Sequence, residues 1–188
     1  MILGVTGYFA AGKDTCAAFL EEQGYHHVSL SQLLRDELQR RGEEINLPNL
    51  TAVGNELRNQ HGHGVLARLA LEKLEQQQYA VVTSIRHPDE VKTLREGCAT
   101  FAMIFVDAPQ EVRFARSQDR SREGDFPTLE EFAAAEQSQR DGQGPATQQL
   151  DACRKMADRV LHNGSTREAF LQQIREALTD FTNRFSAL

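Results

Sequence analysis

Nine residues near the start of the chain, GYFAAGKDT from Gly7 to Thr15, are of the types that bind phosphate. They have the spacing G-x-x-x-x-G-K and lie between an apolar run and a segment with the composition of a helix. In a loop between a strand and a helix, backbone N–H groups can surround a phosphate chain, and the helix N-terminus adds a positive dipole end. The predicted ATP-binding residues of this loop are Gly7, Ala10, Ala11, Gly12, Lys13, Asp14 and Thr15.

Lys13 and Asp14 are the charged residues of this loop. Lys13 would reach the β- and γ-phosphates as a point charge, which makes it a candidate catalytic residue. A Ser or Thr that contacts Mg²⁺ usually follows the lysine, but Asp14 stands there in this chain. A carboxylate can also hold the ion, so the sequence predicts ATP and Mg²⁺ as cofactors, with Asp14 as the metal ligand. The alternative is a glycine-rich turn with a solvated lysine.

Length, charge and cysteine usage limit the classes of protein that fit. A chain of 188 residues favours a single domain, 1–188. The net charge of −6 argues against a nucleic-acid partner, and no apolar run is long enough to cross a membrane. Three distant cysteines suggest neither a metal motif nor a disulfide framework, so we expect a cytoplasmic location, with no signal peptide ahead of the first strand. A monomer and a homodimer both remain open.

Apolar runs alternate with helical periodicity along the chain. The predicted strands are 2–6, 26–30, 79–84, 100–106 and 159–162. The first predicted helix follows the glycine loop and ends at about residue 23. The other predicted helices cover 32–41, 49–59, 64–78, 88–97, 110–119, 129–140 and 166–178. Ser31 and Thr128 are the expected N-caps of two of them, and 142–149 reads as a mobile polar loop. This alternation predicts an α/β fold with a central parallel sheet covered on both faces, whose ligands bind at the carboxyl ends of the strands.

Several stretches resemble a known family. LRNQHGHGVLARLALEKL, VVTSIRHPDEV and VDAPQEVRFARSQDRSREGD look like a little-characterised group of kinase-like proteins related to dephospho-CoA kinase and to (deoxy)nucleoside monophosphate kinases. The resemblance extends from residue 1 to about 178 and implies a three-layer α/β/α P-loop kinase fold with a helical acceptor-binding segment (about 29–78) and a lid (about 113–145). The ending ADRVLHNGS is similar to dephospho-CoA kinases, which places Asn163 and Gly164 near the ATP base.

Arginines outside the loop are the candidates for binding a second substrate. The segment LSQLLR resembles the acceptor-binding segment of adenylate-kinase-like enzymes, which makes Arg35 the leading candidate. Arg58 lies in the next stretch that carries the resemblance, and Arg86 follows a predicted central strand. A guanidinium suits this task because its planar fork meets two phosphate oxygens at once. The alternative for Arg35 is a solvated position on a helix surface.

Four arginines lie within ten residues of the predicted lid: Arg113, Arg116, Arg120 and Arg122. In the kinases that this chain resembles, arginines here close over the phosphates, where positive charge and positioning supply most of the catalysis. Arg116 and Arg120, with Lys13, are therefore the predicted catalytic residues. The alternative is a solvated helix whose arginines are balanced by nearby acidic residues.

The sequence departs from the family at Thr83, where relatives usually carry an aspartate that organises magnesium. We hypothesise that Asp14 supplies that charge from across the site, and Asp107 is the other candidate. The favoured function is a small-molecule kinase that moves the γ-phosphate of ATP·Mg²⁺ to a nucleotide-like acceptor. A (deoxy)nucleoside monophosphate is the first choice and dephospho-CoA the second. The rivals are a regulatory or binding P-loop NTPase and a degenerate kinase that only binds nucleotide.

Overall fold

The computed structural model of the protein describes residues 1–120 and 126–186, with Arg120 described by its backbone alone. Its elements in chain order are β1 (Ile2–Gly7), α1 (Lys13–Glu22), β2 (His26–Ser29), α2 (Leu30–Arg41), α3 (Leu47–His61), α4 (Val65–Leu74), β3 (Ala80–Thr83), α5 (Pro88–Gly97), β4 (Phe101–Asp107), α6 (Gln110–Arg120), α7 (Leu129–Arg140), α8 (Leu150–Lys155), β5 (Arg159–His162) and α9 (Arg167–Ser186). In the described part of the chain, no helix is long and apolar enough to span a bilayer.

Within the described ranges, the strands form one parallel sheet of five strands in the order β2-β3-β1-β4-β5. All six residues of β1 are buried, because the strand lies in the centre of the sheet with helices on both faces. Its neighbours are in register with it, Val5 opposite Thr83 of β3 and Thr6 opposite Phe105 of β4. The carboxyl ends of β1, β3 and β4 therefore meet at one edge, where the glycine loop begins.

Two hydrophobic clusters, one on each face of the sheet, make the three layers. Helices α2 to α5 cover one face with residues such as Leu38, Leu66 and Leu94, which are fully buried or nearly so. Helices α1 and α9 cover the other face, with Leu20 and Phe170 among the buried side chains. Parallel sheets need this double cover, since their strands are apolar on both sides. The predicted three-layer α/β/α fold with a central parallel sheet is confirmed.

Some predicted boundaries were wrong. Helix α2 begins at Leu30 with Ser29 at the N-cap, so Ser31 does not cap it, because the buried Leu30 continues directly from β2 into the helix. Helix α8 was missed, since six residues are too few to show a period, although Leu150 and Cys153 anchor it in the core. Thr128 does accept a hydrogen bond from the backbone N–H of Glu131, as expected of an N-cap.

The last helix is longer than the sequence indicated. We predicted its end at 178, but α9 continues to Ser186. Phe181 is only 5% exposed and belongs to the cluster that α1 and α9 form against the sheet. Phe185 packs partly against the same cluster. The final turns of α9 are thus part of the hydrophobic core.

We therefore expect Phe181→Ala to lower the free energy of unfolding by about 3 kcal/mol, because it removes a buried aromatic side chain and leaves a cavity. Phe185→Ala, one turn further along the same helix, is the matched control and should cost clearly less. Urea denaturation followed by circular dichroism measures both values. Equal, small losses for the two variants would show that the end of α9 does not contribute to the core.

Candidate active site

The glycine loop connects β1 to α1 through backbone conformations that side chains rarely adopt. Gly7 has φ +151°, and a Cβ atom there would lie 2.1 Å from the carbonyl oxygen of Val106. Gly12 has φ +107°, and its Cβ would lie 2.2 Å from Nδ2 of Asn163. Ala10 also has a positive φ of 50°. Glycine is thus required at both ends of the loop, where the backbone passes close to β4 and to the turn after β5.

Lys13 and Asp14 start α1 at the end of this loop. The ammonium group of Lys13 donates a hydrogen bond to the carbonyl oxygen of Tyr8 at 2.6 Å, so it lies across the loop, as a phosphate-binding lysine must. Asp14 is exposed in the first turn of the helix and lines the same pocket as Lys13. A carboxylate in that position fits Mg²⁺, which is typically held by one or two carboxylates together with waters and substrate phosphates.

A cleft of about 180 Å³ lies on one side of the loop, lined by Gly12, Thr15, Arg116, Asn163, Arg167 and Phe170. Asn163 donates a hydrogen bond from Nδ2 to the carbonyl oxygen of Ala11 at 2.9 Å, and its Oδ1 lies 3.4 Å from Nη2 of Arg116. Gly164 follows Asn163 and lies close to Pro109: a Cβ atom added to Gly164 would be 3.0 Å from Cδ of Pro109. The structure thus brings four predicted residues to one cleft beside the loop: Gly12, Thr15, Arg116 and Asn163.

A second pocket, of about 210 Å³, lies on the other side of the loop, and we call it the arginine pocket. Arg35 of α2, Arg58 of α3 and Arg86 after β3 all line it, together with Lys13 and Asp14. Leucines complete the walls: Leu30, Leu34, Leu47, Leu50 and Leu66. The three predicted acceptor-binding arginines come from distant parts of the chain and converge next to the lysine that would hold the γ-phosphate.

Arg58 is fixed by a buried ion pair. It is 3% exposed, and its Nε and Nη2 donate to Oε1 of Glu90 at 3.1 and 2.9 Å. The second carboxylate oxygen of Glu90 accepts the backbone N–H groups of Arg86 and His87 at 2.8 and 3.1 Å. Glu90 itself is completely buried. Sequence reasoning missed Glu90, because an acidic residue in the first turn of a helix usually means no more than a favourable dipole interaction.

Arg86 is held by two amides. Its Nη1 donates to Oε1 of Gln139 at 2.6 Å and to Oε1 of Gln148 at 2.9 Å. Burial and the nearby positive charge of Arg58 lower the pKa of Arg86 to about 10. The negative charge of Glu90 opposes this shift only in part. The group stays charged at neutral pH, yet two neutral glutamines supply its close hydrogen bonds. An anion in the pocket would relieve this charge excess.

The start of the predicted lid is tied down rather than free. Arg113 is 4% exposed and donates to the carbonyl oxygen of Ala108 at 2.7 Å. Its Nη1 also lies 2.7 Å from Oε1 of Glu136, so the residue links α6 to α7. Arg116 lines the cleft described above. The side chain of Arg120 and all of Arg122 fall outside the described residues, so the catalytic role of Arg120 stays a prediction.

Helix α7 packs on the glycine loop through aromatic rings. Phe9 of the loop lies 6.1 Å from Phe132 of α7, measured between ring centroids. The hydroxyl of Tyr8 donates to Asp151 at 2.7 Å, and Arg140 at the end of α7 lies 3.2 Å from the same carboxylate. The 142–149 loop follows, and Gln149 donates its backbone N–H to the carbonyl oxygen of Arg86 at 2.8 Å. The described part of the lid segment therefore contacts both the loop and the arginine pocket.

In the described residues, the hydroxyl of Thr83 makes no hydrogen bond to the glycine loop. The residue is 6% exposed, and its Oγ1 lies 2.8 Å from Nε2 of His27 on the neighbouring strand. Asp107, the other candidate for a magnesium ligand, lies 3.5 Å from Nη2 of Arg154. Asp14 is the acidic residue that lines the arginine pocket. The geometry thus favours Asp14 over Asp107 for the magnesium position.

Fold and loop together define a P-loop protein with a kinase fold. A protein-family model described as "AAA domain" matches residues 6–133. A UPF0200 protein from Thermococcus kodakarensis is 30% identical over 191 residues, which cover 98% of this chain and 100% of that protein. A UPF0200/UPF0201 protein from Archaeoglobus fulgidus is also 30% identical, but this chain spans only 54% of its length. The chain belongs to the family that this AAA domain model describes, and it is also a member of the UPF0200 proteins.

Solved structures with this fold include known kinases. The crystal structure of TT1252 from Thermus thermophilus superposes with a TM-score of 0.61 at 23% identity, over 96% of this chain and 97% of that one. Shikimate kinase from Acinetobacter baumannii, solved with shikimate, superposes with a TM-score of 0.59 at 13% identity, over 97% and 93%. At these identities the likeness extends to the fold alone.

The close approach at Gly12 leads to a first test of the site. We expect Gly12→Ala to weaken ATP binding by at least about tenfold, because the added Cβ would displace Asn163 and strain the loop. Isothermal titration calorimetry with a non-hydrolysable ATP analogue measures this. Gly42→Ala is the matched control, since Gly42 also has a positive φ of 71° but no atom within 4 Å of its Cβ. Equal ATP affinity in both variants would contradict the assigned loop.

The buried ion pair leads to a second test. We expect Glu90→Gln to lower the free energy of unfolding by about 3 kcal/mol, because it leaves Arg58 buried beside a neutral group. Asp89→Asn, one residue earlier on the same helix, removes an exposed pair with Lys92 and should cost less than about 1 kcal/mol. Thermal and urea denaturation give both values. Equal losses would show that Glu90 does not organise the pocket.

Proposed function

We propose that the protein is an ATP-dependent small-molecule kinase, which transfers the γ-phosphate of ATP·Mg²⁺ to a nucleotide-like acceptor. The observation that supports this best is the convergence of Arg35, Arg58 and Arg86 in one pocket that also contains Lys13. A P-loop that only hydrolysed ATP would have no use for a second anion site beside the lysine. A transferase needs one, because the acceptor must be held in line with the γ-phosphate.

The chain's own residues can divide the work as follows. The glycine loop and Lys13 bind the phosphate chain, and Arg116 lies beside it in the cleft that Thr15 also lines. Magnesium, held through Asp14, would neutralise charge on the β- and γ-phosphates. Helices α6 and α7 cover the loop and exclude water, so that the phosphoryl group goes to the acceptor rather than to water.

A (deoxy)nucleoside monophosphate is the favoured acceptor. Its phosphate would meet guanidinium groups, which bind such oxygens in pairs, and the leucine walls would contact the apolar face of its sugar and base. Dephospho-CoA is the alternative within the same class. The Acinetobacter baumannii neighbour binds shikimate, and a compact hydroxy acid is a third acceptor to test, since a carboxylate also pairs with arginine.

A regulatory or binding NTPase is the candidate from another class. The observation that favours it is Thr83, whose hydroxyl is bonded to His27 at the strand end where kinase relatives usually carry an aspartate. Such a protein would hydrolyse ATP slowly without an acceptor and change its affinity for a macromolecule.

The decisive experiment is phosphoryl transfer from ATP·Mg²⁺ to a panel of nucleoside and deoxynucleoside monophosphates, dephospho-CoA and shikimate. We expect turnover of a nucleotide, and a loss of at least about 100-fold in kcat/KM for Lys13→Ala and for Arg35→Ala. Arg40→Ala is the matched control on the same helix, because Arg40 is exposed and pairs only with Glu37 in the described residues. It should retain wild-type activity.

ATP hydrolysis that no acceptor accelerates would contradict the kinase and favour the NTPase. Transfer that Arg35→Ala and Arg40→Ala reduce equally would contradict the arginine pocket as the acceptor site.

A further inference from the structure

A second cavity of about 270 Å³ adjoins the arginine pocket and lies between α3 and the segment from α7 to residue 148. We call it the amide crevice, after Asn55, Gln139, Gln143 and Gln148, which line it. Leu47, Thr51 and Gln148 line both cavities, so the two adjoin, and we call the pair the groove. A molecule whose anionic end lies at the arginines therefore has room to extend beyond them.

The two parts of the groove differ sharply in charge. Among the described residues, the walls of the arginine pocket contain four basic residues and one acidic residue, Asp14. The amide crevice has no basic residue among its described lining residues, and its one charged group is Asp141. A second phosphate or carboxylate would find no partner there. The crevice thus suits the neutral part of an acceptor.

Arg86 determines which way two of the amides face. Its guanidinium can only donate hydrogen bonds, so Gln139 and Gln148 must turn their oxygens towards it. Their Nε2 groups then point away from the arginine and, within residues 1–120 and 126–186, have no hydrogen-bond partner. Two amide donors are therefore available to a molecule that occupies the groove.

Asn55 adds an amide that the fold does not satisfy. Its Oδ1 is buried and has no hydrogen-bond partner in the part of the chain that the structure describes. Turning the amide over would bury an unpaired donor instead, so the cost remains in either orientation. By contrast, Ser138 and Thr147 in the same walls already donate to the carbonyl oxygens of Ala135 and Gly144.

We propose that the amide crevice is a base-binding subsite, in which Asn55, Gln139 and Gln148 recognise the edge of a planar heterocycle that carries both donors and acceptors. This proposal rests on the proposed function, since it assigns the neutral half of the acceptor. It selects a nucleotide over a compact hydroxy acid, which would fill the arginine pocket and leave the crevice unused. Because Arg86 orients the two glutamines, anion binding and base recognition are linked through one side chain.

The test compares two ligands that share a sugar phosphate and differ in the base. With a non-hydrolysable ATP analogue and Mg²⁺ saturating the P-loop, nucleoside monophosphates and ribose 5-phosphate are titrated by isothermal calorimetry. We expect the best nucleotide to bind at least about tenfold more tightly than ribose 5-phosphate. Asn55→Ala should remove most of that advantage, and it should not lower the melting temperature, because Oδ1 makes no hydrogen bond in the described structure.

Asn59→Ala is the matched control, an exposed asparagine one turn further along α3. It should leave both affinities unchanged. Equal binding of nucleotides and ribose 5-phosphate, or equal effects of the two alanine variants, would overturn the proposal. Transfer assays separate this result from the kinase itself. Transfer without base preference leaves the kinase and removes the subsite, whereas base-dependent binding without transfer supports the subsite and removes the kinase.

Discussion

One buried carboxylate, that of Glu90, holds the arginine pocket together. Its two oxygens accept four hydrogen bonds, two from the side chain of Arg58 and two from the backbone N–H groups of Arg86 and His87. A buried charge is tolerable only when it is paired and hydrogen-bonded, and here every contact is to a group that shapes the pocket. The same carboxylate thus fixes the start of α5, the turn after β3 and the position of α3.

The lid side of the site depends on the loop itself. Tyr8 and Phe9 are large aromatic residues of the glycine loop. Their rings contact α7, at Arg140 and Phe132 respectively. Because Arg113 also joins α6 to α7, the glycine loop and the described part of the lid segment are packed as one unit. Arg86 extends these contacts to the arginine pocket through Gln139 and Gln148, which lie at the end of α7 and in the loop after it.

Much of this arrangement could be predicted from the sequence, and the reasons are specific. GYFAAGKDT is a local motif between a strand and a helix, and the bounds of α5 and β5 were predicted to the residue, because Pro88 and a short apolar run mark them clearly. Arg86 was found from its place after a strand, whereas Arg35 and Arg58 were predicted from the family resemblance. Glu90 and the two glutamines could not be found in the same way, since their roles depend on partners 32 to 62 residues away. The hydrogen bond between Thr83 and His27 could not be predicted either, because it depends on the strand order, which places β2 beside β3.

The central claim is that a triphosphate site and an arginine site lie side by side in one groove. The most direct measurement is the affinity of adenosine 5′-pentaphosphate relative to ATP, determined by calorimetry with Mg²⁺ for the wild type and for Arg35→Ala. If the two sites adjoin, the two extra phosphates reach the arginines, and the longer chain binds at least about 100-fold more tightly in the wild type, with most of that gain lost in the variant. Equal affinity for the two ligands, or a gain that Arg35→Ala leaves intact, would contradict the account.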